Sequence, residues 1–316
     1  MAYSMFADRR LVVTVLLTAF VTILIVAPMN GCLVHKAAQN SFVREIAPGV
    51  IEIRPQGVKV AEYRFGWELA KPYLCPVLAP DGIPVTEDSP WGHRHHHGVW
   101  IGYEQVNGHD FWTEQEPETR LRHDRFVRIF DQPQYPGFIA RTHWESGGTT
   151  VMYDERMFRF RMLDNGDYAI DVAVTLRTES DTVTIEGAYG GLPAVRVAGR
   201  MRVTAGGRIT NSEGGVNEEG TMHKRARWLD YCGRRDDGTW VGIAYLVHPD
   251  NRDFPLYWFV RDAGWFAPSY TRWGAPIVLK PDRPFTVRCR LIVHRGNTNE
   301  ARIEERFGEY VVDMAR

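Results

Sequence analysis

Met157-Phe-Arg-Phe-Arg-Met-Leu163, Asp164-Asn-Gly-Asp167 and Tyr168-Ala-Ile-Asp-Val-Ala-Val-Thr-Leu-Arg177 form the stretch whose reading decides the fold. In its last ten residues Tyr168, Ile170, Val172, Val174 and Leu176 alternate with Ala169, Asp171, Ala173, Thr175 and Arg177. A period of two puts one set on a buried face of a strand and the other on a largely wet one. Asn165-Gly166 supplies the positive φ angles of a tight turn, so the whole stretch is expected to be a β-hairpin.

Outward from this hairpin the same period recurs. Phe285, Val287, Cys289, Leu291 and Val293 repeat it near the carboxyl end. Shorter candidates are Ile51 to Ile53, Val58 to Phe65, Phe138 to Glu145, Val183 to Tyr189, Arg227 to Cys232, Trp240 to His248 and Tyr257 to Arg261. Only Asn299 to Asp313 reads as a helix, with Ile303, Phe307 and Val311 four residues apart. So many strands without intervening helical patterns exclude a βαβ architecture. The expectation is all-β: a large antiparallel β-sandwich with one C-terminal helix. No internal repeat or low-complexity linker interrupts residues 42–316, which are read as one domain.

The chain has 316 residues, 44% apolar and 24% charged, with a net charge of −1, which excludes a disordered chain. Near-neutrality argues against nucleic acid as partner. A polytopic membrane protein is excluded because only one long apolar run exists. That run, Leu11 to Val26, follows Arg9-Arg10 and spans about 24 Å as a helix. Residues 1–32 read as a signal or anchor segment and 33–41 as a spacer. Lipidation at Cys32, ordinary cleavage and a retained anchor all stay open, and each predicts a globular part outside the cytoplasm, membrane-tethered or secreted. Cys75, Cys232 and Cys289 lack metal-site or scaffold spacing and read as buried thiols. The ten tryptophans exceed what a core of this size needs, so some are expected to line a site.

Chemistry concentrates in His93 to Trp112, His-Arg-His-His-His-Gly-Val-Trp-Ile-Gly-Tyr-Glu-Gln-Val-Asn-Gly-His-Asp-Phe-Trp. Four histidines in five residues suit a general acid/base or a metal site. The plainer reading is a polar loop whose histidines hydrogen-bond backbone and carboxylates. On extended backbone His93, His95 and His97 would share one face and His96 the other. Any divalent metal would fall to His93, His95 and His96, although adjacent histidines diverge unless the backbone kinks. Asn107-Gly108 makes a turn. Asp110 beside Phe111 and Trp112 can bind hydroxyls while a ring stacks on a sugar, and core packing explains Phe111 equally well.

Lys224-Arg-Ala-Arg-Trp-Leu-Asp230 is a second constellation. As a strand it would present Arg225 and Arg227 together, fit to grip a carboxylate or orient hydroxyls, or simply a solvated face. A third stretch joins His248-Pro-Asp-Asn251 to Tyr257-Trp-Phe-Val-Arg-Asp262, where only one of Arg261 and Asp262 can face a site.

These motifs (H-x-H-H-x-G-x-W, V-N-G-x-D-F-W, K-R-A-R-W-x-D-Y, H-P-D-N and Y-W-x-V-R-D-x-G) resemble the bacterial PmoA-like family of unknown function. The resemblance runs from about Pro80 to the carboxyl terminus. The family's usual first motif is H-P-H-H-R-G; here Arg94 stands in place of proline and His97 in place of arginine. The family is labelled after a methane oxygenase subunit, but such a subunit needs several spanning helices and this chain has one apolar run. What the resemblance implies is an aldose-mutarotase-like sandwich and a sugar-catabolic setting, by analogy of fold.

The combined expectation is an exported carbohydrate-active protein, an enzyme of epimerase, lyase or hydrolase type. His95, His96 and Asp230 are its candidate catalytic residues. The candidate substrate-binding residues are His93, Trp100, Asn107, Asp110, Trp112, Arg225, Arg227, His248 and Arg261. Alternatives are a non-catalytic sugar-binding module and a metal-dependent oxidoreductase using the His93 to His97 cluster. Because unpaired His, Arg and Asp are costly to bury, the three stretches are expected to meet in one cleft.

Overall fold

The period-two pattern is realised in two large antiparallel sheets. A computed structural model describes residues 41–314 except 188; the expected signal segment, residues 1–32, lies outside them. In chain order the strands of the first half are β1 (Val43–Ala47), β2 (Val50–Ile53), β3 (Ala61–Arg64), β4 (Tyr73–Val77), β5 (Val99–Tyr103), β6 (Thr119–Phe130), β7 (Gly137–Ser146), β8 (Thr149–Met162) and β9 (Tyr168–Arg177). Then come β10 (Val183–Ile185), β11 (Gly190–Arg196), β12 (Arg208–Asn211), β13 (Arg225–Ala226), β14 (Trp228–Arg234), β15 (Trp240–Val247), β16 (Leu256–Arg261), β17 (Trp265–Ser269), β18 (Ile277–Leu279) and β19 (Phe285–Arg295). Two short α segments complete the chain, α1 (Asn217–Thr221) and α2 (Ile303–Met314).

One sheet has nine strands in the order β1-β2-β3-β4-β5-β11-β17-β16-β13, and the other has eight, β12-β14-β15-β19-β9-β8-β7-β6. Strands β10 and β18 form a separate pair. Between the large sheets lies a single apolar cluster. The nine-stranded sheet contributes Ile51, Tyr63, Leu74, Ile101, Val195, Trp258 and Phe266; the other contributes Phe138, Phe158, Ile170, Val172, Tyr245 and Leu291. Each fully buried side chain of this kind contributes roughly 1.5–3 kcal/mol through removal from water. No helix among the described residues is long and apolar enough to cross a membrane.

The two outer faces differ. On the eight-stranded sheet, Ala169, Trp228, Ala244, Leu246 and Ile292 are covered by Ile303, Phe307 and Tyr310 of α2. The wet face expected of β9 is therefore partly buried, and Asp171 there pairs with buried Arg290 at 2.5 Å. On the nine-stranded sheet the outer face is aromatic, with Tyr73, Trp100, Phe259 and Trp265 under loops that add Trp112.

Several expected boundaries shift for local reasons. The hairpin is β8–β9, but only Gly166 in its loop has a positive φ, +85°. Gly166 N–H donates to Leu163 O at 2.9 Å and Leu163 N–H to Asp167 O at 2.7 Å, a longer loop closed by a single left-handed glycine. Helix α2 begins at Ile303 rather than Asn299, because Arg302 sits at φ +54°. Strand alternation from Lys224 to Asp230 fails because the chain changes sheets at Arg227, between β13 and β14.

Candidate functional site

The loop from Asp88 to Gly98 feeds β5, and its turns decide where the histidines point. His93 N–H donates to Pro90 O, His96 N–H to His93 O, and Ser89 N–H to His96 O, so the backbone is coiled rather than extended. Gly98 closes it at φ +48°, where a Cβ would lie 2.2 Å from Leu74 O; no other residue fits. The expected sharing of one face by His93, His95 and His97 therefore fails. His96 turns inward, its ring 5.0 Å from that of Trp100 and 5.2 Å from Trp265. His93 stacks on it at 4.9 Å, and half-buried His95 meets it edge-on at 4.4 Å. His97 turns the other way and lies flat on Tyr73, ring centres 4.5 Å apart.

Around His97 runs a continuous array of ionisable groups. Tyr73 Oη donates to Asp88 Oδ2 at 2.9 Å, and Asp88 Oδ1 is 2.6 Å from His97 Nδ1. His97 Nε2 is 2.7 Å from Glu114 Oε1, which in turn pairs with Lys71 Nζ at 3.0 Å. Lys71 is 1% exposed and donates to Trp112 O at 2.7 Å. Lys71, Tyr73, Asp88, His97 and Glu114 line a cavity of about 510 Å³, together with Glu68 and Arg120. Glu114 is held at φ +60°, a left-handed conformation that costs a non-glycine residue on the order of 1 kcal/mol. Asp110 enforces this turn: its carboxylate accepts Trp112 N–H at 2.7 Å and Thr113 N–H at 3.0 Å.

The protonation states follow from these contacts. Burial opposes charge on His97, but the bonds to Asp88 and Glu114 outweigh it and raise its pKa above the usual imidazole value. Burial raises both carboxyls, yet His97 reverses this and holds Asp88 and Glu114 below their usual range. Burial lowers Lys71, with Glu114 acting against the shift. His95 is pushed down to about 4 by burial and then by Lys71, so it is a neutral base at pH 7. His96 is lowered by burial and by His95 and Arg196. Arg196 Nη1 lies 3.5 Å from His96 Nδ1; a guanidinium can only donate, so the ring proton of His96 sits on Nε2.

Trp100 and Trp112 were expected to offer a stacking wall, but they are 1% and 2% exposed and instead back His96 and His95. The exposed rings are Trp67, 84% exposed, next to the cavity residues Glu68 and Leu69, and Trp91, 91% exposed, two residues beyond Ser89 of the same lining. Nothing in the periodicity marked them, because both lie in loops.

Other expected site residues are dispersed. Arg261 and Arg225 lie on the aromatic face of the nine-stranded sheet. Arg261, with Arg196 and Arg202, lies near enough to His93 to add to the burial that lowers its pKa. Arg225 is four strands from β5, roughly 19 Å at the usual spacing, and donates to Asp253 O and Pro255 O. Asn107 accepts Thr184 N–H at 2.8 Å and secures its turn. Arg227, Asp230 and His248 do not join the histidines at all. Arg227 pairs with Glu304 of α2 at 2.8 Å, and His248 packs edge-on against Tyr310 of α2. Asp230 is buried on β14, 3.0 Å from His294 and 2.9 Å from Cys232. The sheet change at Arg227 sends these groups to the opposite side of the sandwich. Donor atoms of His93, His95 and His96 do not gather as a metal-ligand group; among the described residues Asp230, Cys232 and His294 do, all within 4.8 Å of one another.

The strands and loops of this site fall inside one family model, described as a family of unknown function (DUF6807), which matches residues 50–308. The chain belongs to that family. No curated protein matches this DUF6807 chain. Among solved structures, a putative kojibiose phosphorylase from human microbiome is similar at a TM-score of 0.37 and 8% identity. The match covers 86% of the DUF6807 chain and 36% of the phosphorylase, so the chain spans about a third of that protein's length.

Proposed function

We propose that this DUF6807 protein is an exported carbohydrate-active enzyme that abstracts a proton from a sugar, in an epimerase- or lyase-type reaction. One observation carries the proposal: a neutral, half-buried His95 lies close enough to Lys71 and Glu114 for their charges to act on it, and those two residues line the 510 Å³ cavity. A general base needs to be unprotonated and accessible at working pH. Asp88 and Glu114, held below their usual range, accept hydrogen bonds from sugar hydroxyls, and Lys71 Nζ and the His97 ring put N–H donors beside negative charge that develops on the substrate. Neither of these two carboxyls has the raised pKa that a hydrolase's acid requires, which favours proton abstraction over glycoside hydrolysis. Trp67 and Trp91, exposed on the loops that carry the lining residues Glu68 and Ser89, offer apolar ring faces for the C–H side of a pyranose.

The test is turnover of a panel of sugars, acidic and neutral, by the full chain and by His95→Gln. Loss of at least about 100-fold in kcat with sugar binding retained is expected of a general base. Equal turnover by the variant would reject His95 as the base. Binding with no turnover by either protein would instead make this a sugar-binding module. Fractionation of producing cells tests export, with the protein expected in the extracytoplasmic or membrane fraction.

A further inference from the structure

We propose that Asp230, Cys232 and His294 form a structural zinc site, sealed between the eight-stranded sheet and the segment that leads into α2. The three side chains are 0%, 1% and 0% exposed, and their donor atoms lie within 4.8 Å of one another. Asp230 and Cys232 are two apart on β14 and so share its outer face. Cys232 pairs with Gly242 of β15, and Gly242 with His294 of β19, so the cysteine and histidine stand two strands apart across a glycine.

Gly242 is what makes room between them. A Cβ there would lie 2.4 Å from His294 Nε2 and 2.9 Å from Cys232 Sγ. Any larger residue would push the two donors apart. His294 is also placed as a ligand should be: its Nδ1–H donates to Arg295 O at 3.3 Å, and its Nε2–H donates to Asp230 Oδ1 at 3.0 Å, so Nε2 is the nitrogen that a metal would take on losing that proton. A backbone carbonyl that fixes the tautomer in this way is the usual companion of a metal-bound histidine.

One imidazole, one thiolate and one carboxylate form a donor set suited to Zn²⁺. Bond lengths of about 2.0–2.3 Å place tetrahedral ligands about 3.5 Å apart. Cys232 lies 2.9 Å from Asp230 Oδ2 and His294 3.0 Å from Asp230 Oδ1, so the carboxylate bridges the other two donors, and each contact would open by about half an ångström around an ion held by one or both of its oxygens. Binding expels the thiol proton of Cys232 and the Nε2 proton of His294 to solvent, while Nδ1 keeps its proton on Arg295 O. The resulting Zn²⁺, thiolate and carboxylate sum to zero charge, which suits a site closed to water. Thr298 Oγ1 lies 3.8 Å from Cys232 Sγ and offers a hydroxyl for the fourth position. The metal would tie this segment, and α2 behind it, to the sheet.

The experiment uses the full chain, purified without a polyhistidine tag from zinc-replete cells, with elemental analysis and competitive zinc titration. About one zinc per chain is expected, together with a thiolate-to-metal absorption band after exchange for cobalt. Cys232→Ser keeps a donor for Asp230, so it should fold, yet lose zinc affinity at least 100-fold and lack the band. His294→Gln serves as the second variant, with the same loss expected. Substoichiometric zinc with no cobalt band in the folded wild-type chain would overturn the proposal and leave a hydrogen-bonded triad. Retention of zinc by both variants would overturn it equally.

Discussion

Replacing His97 by alanine removes the centre of the ionic array, and its consequences follow from the contacts. Two charge-assisted bonds disappear, at 2.6 Å to Asp88 and 2.7 Å to Glu114. A hydrogen bond to a charged group contributes about 1.5–3 kcal/mol. The Glu114 side chain is 22% exposed and keeps about 2 kcal/mol of that range. Asp88 is 38% exposed, and solvent screening reduces its share to about 1 kcal/mol. The total, about 3 kcal/mol, corresponds to a fall in Tm of roughly 6–12 °C for a domain this large. The pH dependence gives a sharper signature. The pKa of His97 is raised in the folded protein, so its contribution is fully present below the ordinary imidazole value of about 6.5 and is lost as pH rises through the raised one. Asp88 and Glu114 are lowered, so their contribution is present above about 4.5 and lost as pH falls through their folded values. Wild type should thus be most stable between about pH 4.5 and 6.5 and decline above neutrality. His97→Ala should lack the alkaline decline, and His97→Arg should recover part of the stability without bringing that decline back. Thermal melts of the three proteins from pH 4 to 9 provide the check. A Tm for His97→Ala within 2 °C of wild type at pH 6 would refute the reasoning.

Asp154→Ala strands the buried Arg156 guanidinium and the Trp144 indole N–H that Asp154 now accepts; urea unfolding should show a loss of about 3–5 kcal/mol. Gly98→Ala forces a Cβ against Leu74 O and should cost at least about 2 kcal/mol, again read by urea unfolding, while displacing the histidine loop and lowering any sugar turnover. Asp110→Ala frees the N–H groups of Trp112 and Thr113, with an expected cost of about 1–2 kcal/mol by the same measurement and a shift in tryptophan fluorescence. A shortened chain beginning at Phe42 should keep its Tm within about 3 °C, equivalent to less than about 1 kcal/mol, and lose membrane association on cell fractionation.

Fold class was legible because burial on a sheet leaves a period of two, clear in Tyr168 to Leu176 and again in Phe285 to Val293. The change of sheet at Arg227 was not, since nothing in Lys-Arg-Ala-Arg-Trp-Leu-Asp distinguishes one long strand from two that part company. That single ambiguity misplaced both Arg227 and Asp230. The histidine cluster was visible by composition, but its directions depend on turns closed by Gly98 and by hydrogen bonds between non-adjacent residues. Lys71, Tyr73, Asp88 and Glu114 carry no local signal at all. They become a set only when β4, the histidine loop and the Asp110 turn are brought together.

Along β5, β16 and β17 the side chains take turns between two tasks: Trp100, Phe259 and Trp265 face the site, while Ile101, Val260 and Phe266 face the core. Neighbours in the chain thus answer to different demands. Substitutions at the outer positions can change the aromatic face that backs the histidines while the interior stays intact. A lineage carrying this sandwich can therefore rework every second residue of three strands and the loops above them without having to rediscover how to fold.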